Sequence, residues 1–200
     1  MRIAACILAG GKGERLGGVN KALLELGGQR FIDRAVDVVR GCDPILIAVG
    51  REAFAIPEGT VALRDIESDY AGPLAGVAAA IAHLGTDGDV LFSLAVDTPM
   101  FPRDFLAAAL PLLDGAPVVV GAYGAQDYPT NALWRLEAIG DLADELRDGT
   151  APRSLKRLAE RLGAVRLDYA ERVSEDPFRN ANTPEDLALL RRAQAAQNAG

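Results

Sequence analysis

The chain predicts an α/β fold, a three-layer αβα sandwich around a mostly parallel sheet. Three observations carry that expectation. Arg2–Leu8, Ile45–Val49, Asp89–Val96 and Pro117–Val120 are continuous apolar runs of strand length, the pattern of strands buried on both faces. Longer stretches with apolar residues at helical spacing lie between them. No linker rich in Gly, Ser or Pro and no internal repeat divides the 200 residues, which fit one domain.

Each element has its own reason. Arg30–Arg40 places Phe31, Ala35, Val38 and Val39 at helical spacing. Pro73–Leu84 and Pro102–Leu113 each open on a proline, which costs no hydrogen bond in a first helical turn. Thr60–Arg64 reads as a strand. Beyond residue 120 the order loosens: Thr130–Arg135 and Ala164–Asp168 read as strands, Glu137–Arg147 and Pro152–Leu162 as helices. Thr183-Pro184-Glu185-Asp186 supplies a threonine cap, a proline and an acidic first turn for the last helix. Residues 1–192 are expected to form the domain, and the polar, alanine-rich tail Ala193–Gly200 to fray.

Composition narrows the function. Half the residues are hydrophobic and 24% charged, which excludes intrinsic disorder for the body of the chain. Lys and Arg number 21 against 28 acids, giving a net charge of −7, and no basic stripe offsets it, so nucleic acid is excluded as a partner. Two cysteines, Cys6 and Cys42, and one histidine, His83, make neither a disulfide framework nor a Cys/His metal site. Any metal is then a hard ion held by carboxylates and phosphates. The apolar stretch Ile3–Ala9 is too short for a signal peptide, and the longest uncharged run, Tyr70–Thr86 at 17 residues, is too short and too broken by glycine to span a membrane. A soluble, cytoplasmic protein is expected.

Chemistry concentrates at two places. After the first strand come five glycines within Gly10–Gly18, which let the backbone turn tightly and bring N–H groups against a ligand. Neither the dinucleotide fingerprint nor the P-loop pattern fits, since Leu16 stands where the third glycine would be and no Gly-Lys-Ser/Thr occurs. Lys12, Arg15 and Lys21 against Glu14 give this loop a local charge of +2 inside an acidic chain, the reversal a phosphate cradle needs. A solvated turn is the plain alternative. The second place is Asp97, the first charge after a buried strand, expected at the carboxyl edge of the sheet facing the glycine loop. A lone carboxylate there suits Mg²⁺ bridged to phosphates. Alternatively, Asp97 or Thr98 caps the helix after Pro102.

Leu8–Lys21 (LAGGKGERLGGVNK), Gly72-Pro73-Leu74-Ala75-Gly76, Asp97-Thr98-Pro99-Met100-Phe101-Pro102, Tyr128-Pro129-Thr130 and Asn180-Ala181-Asn182-Thr183-Pro184-Glu185-Asp186-Leu187 occur in that order. Together they resemble the molybdenum cofactor guanylyltransferases, within the nucleotidyltransferases of GT-A-like, Rossmann-like fold. The resemblance spans about residues 3–190, and the blocks at Gly72–Gly76, Asp97–Pro102 and Asn180–Leu187 together are more selective than the glycine loop. It implies transfer of GMP from GTP to the phosphate of Mo-molybdopterin, forming the guanine dinucleotide and releasing pyrophosphate, with Mg²⁺ as cofactor. It implies that the backbone of Leu8, Ala9, Gly10 and Gly11, together with Lys12, holds the guanosine nucleotide. Arg15 and Lys21 would act on the phosphates, Asp65 would lie in the guanosine pocket, and Asp97 would bind the metal. Gly76 would let nucleotide approach, and Asn180 and Asn182 would face the pterin or the metal. Apo-molybdoenzymes or cofactor-delivery proteins would be further partners. This chain departs from the family at Leu16, Ala48 and Tyr128, where Met, Asn and His are common.

Nucleotidyl transfer needs little acid–base machinery, because the acceptor phosphate is already ionised; it needs alignment and screening of like charges. A carboxylate at Asp65 would accept from both N1–H and the N2 amino group of guanine, a donor pair that cytosine and adenine lack. Several residues have bland alternatives. Gly76 could serve close helix–sheet packing, Asn182 could cap the last helix, and Tyr128-Pro129-Thr130 could simply begin a strand. His83 and Trp134 read as packing residues and Cys6 as core. A cytidylyltransferase, a sugar-phosphate nucleotidyltransferase and a non-catalytic nucleotide-binding module are the competing functions, and the failed fingerprint weakens an NAD enzyme.

Overall fold

A seven-stranded sheet runs through the molecule, in a computed structural model that describes residues 1–50, 54–64, 72–85 and 87–199. Its strands are β1 (Ile3–Leu8), β2 (Ile45–Ala48), β3 (Val61–Leu63), β4 (Val90–Ala95), β5 (Val118–Tyr123), β6 (Gln126–Arg135) and β7 (Val165–Asp168). They lie in the order β7-β5-β6-β4-β1-β2-β3. Every neighbouring pair is parallel except the two that β6 makes, with β4 and β5. The expected mostly parallel sheet is therefore present, with one strand reversed.

Alternation along β1 shows why the sheet is covered on both sides. Ala4, Cys6 and Leu8 join one core with α2 (Pro73–Leu84) and the later helices α4 (Leu136–Ile139), α5 (Leu142–Arg147) and α6 (Leu155–Arg161). Ala5, Ile7 and Ala9 join the other, with α1 (Phe31–Val38), α3 (Phe105–Ala109) and α7 (Pro184–Ala199). Two cores on opposite faces of one sheet make three layers. β4 is buried at all six positions, and its one polar residue is satisfied: Ser93 Oγ accepts from Trp134 Nε1 at 2.8 Å.

Several elements differ from the sequence expectation. The helix expected from Pro102 begins at Phe105, with the Pro102 carbonyl accepting from the Phe105 amide. It tightens to a 3₁₀ turn at Leu110–Asp114, since Pro111 has no N–H to continue the α ladder. The stretch Glu137–Arg147 splits at Gly140, and α5 restarts where the Asp141 carbonyl accepts from Asp144 and Glu145. β6 begins four residues early and takes Tyr128-Pro129-Thr130 into the strand, with a bulge between Tyr128 and Ala132. His83 is exposed on α2, so it is not the packing residue the sequence suggested, whereas Trp134 and Cys6 are fully buried.

At the carboxyl ends of β1 and β2 the backbones of Gly10 and Gly50 touch. A Cβ on Gly50 would stand 2.9 Å from Gly10 Cα, and Gly50 has a φ of 66°. A side chain there meets backbone, which cannot swing aside. Gly50→Ala should therefore destabilise by about 2–4 kcal/mol, combining a left-handed conformation with overpacking, read as a lowered midpoint of urea unfolding.

Candidate active site

The glycine loop folds back on itself: Lys12–Gly13 pairs antiparallel with Val19–Asn20, and Gly17 and Gly18 take φ values of 80° and 77° between them. The Asn20 side chain accepts from the Ala22 amide at 3.0 Å, capping the short 3₁₀ turn Lys21–Leu23. Ala22 is buried beneath it, so the turn is fixed and Lys21 leaves it toward the sheet edge.

Asp97 follows β4 in a turn closed on itself, where Thr98 Oγ1 donates to the Ala95 carbonyl at 2.7 Å. Below it, the β4–β6 ladder ends at the Ser93–Ala132 pair, and Asn131 Oδ1 takes over by accepting from the Ala95 amide at 2.8 Å. Arg34 reaches across from α1 to donate to the Pro99 carbonyl at 3.2 Å. The turn carrying Asp97 is thus held from three sides. Neither Asp97 nor Thr98 caps the next helix, whose cap position is Asp104 without a side-chain bond.

A third segment is laid against this turn. The Ala181 amide donates to the Asp97 carbonyl at 2.9 Å. Aromatic packing sets the approach: Phe178 meets Phe101 edge to face at 5.5 Å, Phe105 at 6.0 Å and Tyr169 at 5.5 Å. Each such pair contributes roughly 0.5–1.5 kcal/mol beyond its buried area. Gly121 leaves the room, since a Cβ there would come within 2.9 Å of the Phe178 ring.

The three segments meet at Lys21. Its Nζ donates to Asp97 Oδ2 at 2.7 Å and to Asn182 Oδ1 in a second, short hydrogen bond. The Lys21 and Asp97 side chains are only 11% and 16% exposed, so solvent and salt screen the pair weakly. Asn182 is not the cap of α7. Thr183 is, accepting from the Asp186 amide at 3.1 Å, while Asp186 Oδ2 accepts from the amides of Asn182 and Thr183. Burial pushes the Asp186 carboxyl up, but the bonds from Asn182 and Thr183 outweigh it and hold the group below the usual carboxylate range.

The remaining sequence candidates fall as follows. Leu8 and Ala9 continue the ladder: the Leu8 carbonyl accepts from Val96 and the Ala9 amide donates to Ala48, which leaves those two groups occupied. Gly10 and Gly11 lie beyond the last paired residue, at the mouth of the loop. Arg15 is exposed on the 3₁₀ turn Glu14–Leu16. Gly76 serves packing, because a Cβ there would lie 2.9 Å from Leu8 Cδ2 and 3.0 Å from Ala48 Cβ. Asp65 and the Lys12 side chain lie outside the described residues. Tyr128 donates to Asp176, and burial together with that carboxylate raises its phenol above the ordinary value.

Sequence reading missed Asn131 and Arg34. Asn131 is a fully buried amide whose Nδ2 has no hydrogen-bond partner among the described residues, and Asn180 Oδ1 is likewise buried without one there. A polar residue between Thr130 and the apolar Ala132-Leu133-Trp134 was the available signal for the first. Arg34 gave none, since its partners are carbonyls distant in sequence. Among the described residues no group of three or more His, Cys, Asp or Glu side chains is placed to hold a metal. Asp97 supplies one carboxylate, and Asn180, with its side-chain oxygen, stands next to Ala181, whose amide bonds the Asp97 carbonyl; such a sparse set suits an ion that takes most of its ligands from phosphates and water.

The MobA-like NTP transferase domain matches residues 5–165. The molybdenum cofactor guanylyltransferase of Acidiphilium cryptum is 38% identical over 188 residues, covering 92% of each chain. That of Rhodobacter capsulatus is 34% identical over 195 residues, covering 94% of each. In fold, the chain is similar to the molybdopterin-guanine dinucleotide biosynthesis protein A of Archaeoglobus fulgidus, at a TM-score of 0.70, 19% identity, and 98% and 100% coverage. It is equally similar to the 2-C-methyl-D-erythritol 4-phosphate cytidylyltransferase of Thermus thermophilus, at 0.72, 17% identity and the same coverage.

Two outcomes follow from the charges. In a double-mutant cycle of Lys21→Met and Asp97→Asn, urea unfolding should show a favourable coupling of about 1–3 kcal/mol, because removing either partner strands the other charge. Asp186 has a depressed folded pKa, so its stabilisation is complete above the unfolded value near pH 4 and is lost as pH falls through the folded one. The stability gap between the wild type and Asp186→Asn should be full at neutral pH and should close below about pH 4.

Proposed function

This chain belongs to the MobA-like NTP transferase family, and from that premise we propose that it joins the GMP moiety of GTP to the phosphate of molybdopterin and releases pyrophosphate. The observation that carries the reading is the junction of Lys21, Asp97 and Asn182 at the mouth of the glycine loop. Its curated relatives bear the name of that activity at 34–38% identity over nearly their whole length.

The chemistry asks for position and charge. An oxygen of the acceptor phosphate attacks the α-phosphorus of GTP, the bond to the β-phosphate oxygen breaks, and the electron pair leaves with pyrophosphate. Two like charges about 4 Å apart cost roughly 4 kcal/mol at an effective dielectric near 20. Lys21 and Arg15 would offset this from the loop, with the free amides of Gly10 and Gly11 against the phosphates. Asp97 and the Asn180 carbonyl would hold Mg²⁺, which when bound supplies Lewis-acid screening of the triphosphate. Lys21 would serve two states. Before substrate enters it would neutralise Asp97; with the triphosphate in place its ammonium would turn to the phosphates and leave the Asp97 carboxylate able to hold the ion. Asp65 would select guanine by accepting from its N1–H and N2 amino group.

A thermal-shift panel tests the reading. With Mg²⁺, GTP should raise the melting temperature well above CTP, ATP or UTP, as about 2.7 kcal/mol of stabilisation is expected at a hundredfold excess over Kd. Asp65→Ala should weaken GTP far more than CTP. Addition of molybdopterin should release one pyrophosphate per dinucleotide formed. Equal stabilisation by CTP would point to a cytidylyltransferase, and binding without pyrophosphate release would mark a non-catalytic module.

A further inference from the structure

In-line displacement places the attacking group opposite the leaving pyrophosphate, so the two substrates must approach the α-phosphorus from opposite sides. The sheet order says which side is which. β4, which leads into the Asp97 turn, lies between β1 and β6. The glycine loop with Arg15 and Lys21 follows β1 and occupies one flank. The other flank is built by the start of β6, which carries Tyr128, and by the segment from Asp176 to Arg179, which Phe178 anchors against Tyr128 with ring centroids 5.2 Å apart before the chain crosses Asp97 and reaches Lys21 at Asn182.

Arg179 stands on that second flank. It is two residues from Ala181, whose amide is bonded to Asp97, so its backbone lies within about 7 Å of that contact. Its side chain is exposed and makes no ion pair or hydrogen bond with another described residue. The contrast with Arg30, Arg157, Arg161 and Arg166 is direct, since each of those is paired with a carboxylate within 3.0 Å. Nor do the nearby acids claim it. Asp186 is spent on the amides of Asn182 and Thr183, and Asp176 on the Tyr128 hydroxyl and the Phe178 amide. The charge of Arg179 acts on both Tyr128 and Asp186, the groups that bound this flank.

We propose that Arg179 binds the phosphate of the acceptor substrate, and so holds the attacking group on the face of Asp97 opposite the triphosphate. The inference rests on the nucleotidyl-transfer reading above and adds the residue that admits the second substrate. A guanidinium matches a phosphate with two parallel N–H donors, which fixes orientation as well as affinity. An unpaired cation in a chain of net charge −7 also draws an anionic acceptor to this flank.

The test separates Arg179 from the reading on which it rests. Arg179→Ala and Arg179→Lys are compared with the wild type in pyrophosphate release, in equilibrium dialysis of molybdopterin, and in GTP binding. Expected for the alanine variant is a rise of about 10- to 100-fold in the molybdopterin KM and Kd, with GTP affinity and melting temperature unchanged. The lysine variant should recover part of the loss. Molybdopterin affinity equal to the wild type would overturn the proposal, as would an equal weakening of GTP, which would assign Arg179 to the triphosphate. A wild type that binds molybdopterin and GTP without turnover would instead overturn the nucleotidyl-transfer reading, and the dialysis would still report on Arg179.

Discussion

One ammonium group gathers the site. Lys21, Asp97 and Asn182 come from the start, the middle and the end of the chain, and each is delivered by a different device. Lys21 comes by a capped 3₁₀ turn, Asp97 by a turn pinned from below by Asn131, and Asn182 by a strip bonded through Ala181. The pair is little exposed, so its attraction is strong and its geometry restricted. Without a cation between them, a half-buried carboxylate and an amide oxygen would face each other with nothing to donate. The rest of the edge is arranged so that this does not arise.

The aromatic cluster is the apolar counterpart, in the same core that holds Ala22 and Ala181 beside the junction. Phe92, Phe101, Phe105, Tyr169 and Phe178 form a continuous set of ring contacts. Phe101 follows the Asp97 turn by four residues and Phe178 precedes Asn182 by four. The hydrophobic interior therefore transmits the spacing of the polar edge, and the hydroxyl of Tyr169, bonded to Asp104 at 2.9 Å, closes the cluster at its rim.

How far the sequence could be read depended on the range of the interaction. Continuous apolar runs marked β1, β2, β4 and β5 because burial on both faces leaves no alternation to misread. α2 was legible to the residue, since Pro73 starts it and Gly85 ends it. The helix after Asp97 was less so, because Pro111 changes the ladder only when the following residues are already helical. The junction at Lys21 was legible as a constellation and not as a bond: charge and position pointed to Lys21 and Asp97, but nothing local says that Asn182 joins them in place of capping α7. Gly76 and Asn131 depend on contacts with residues 28 to 68 and 36 positions away, which no window of sequence contains.

The reversed direction of β6 has an effect on how the scaffold can be altered. In a sheet of parallel strands only loops reach the carboxyl edge, yet β6 enters at that edge and pairs with β4 only from Ala132 onward. Its first six residues, with the end of β5, form a hairpin held by main-chain pairing from Gln126 to Tyr128 on one side, while β7 pairs with β5 as far as Ala122 on the other. Lengthening or recolouring that hairpin would rebuild one wall of the cleft while leaving the wall made by the glycine loop untouched. A fold of this kind can exchange one reactant and keep the other.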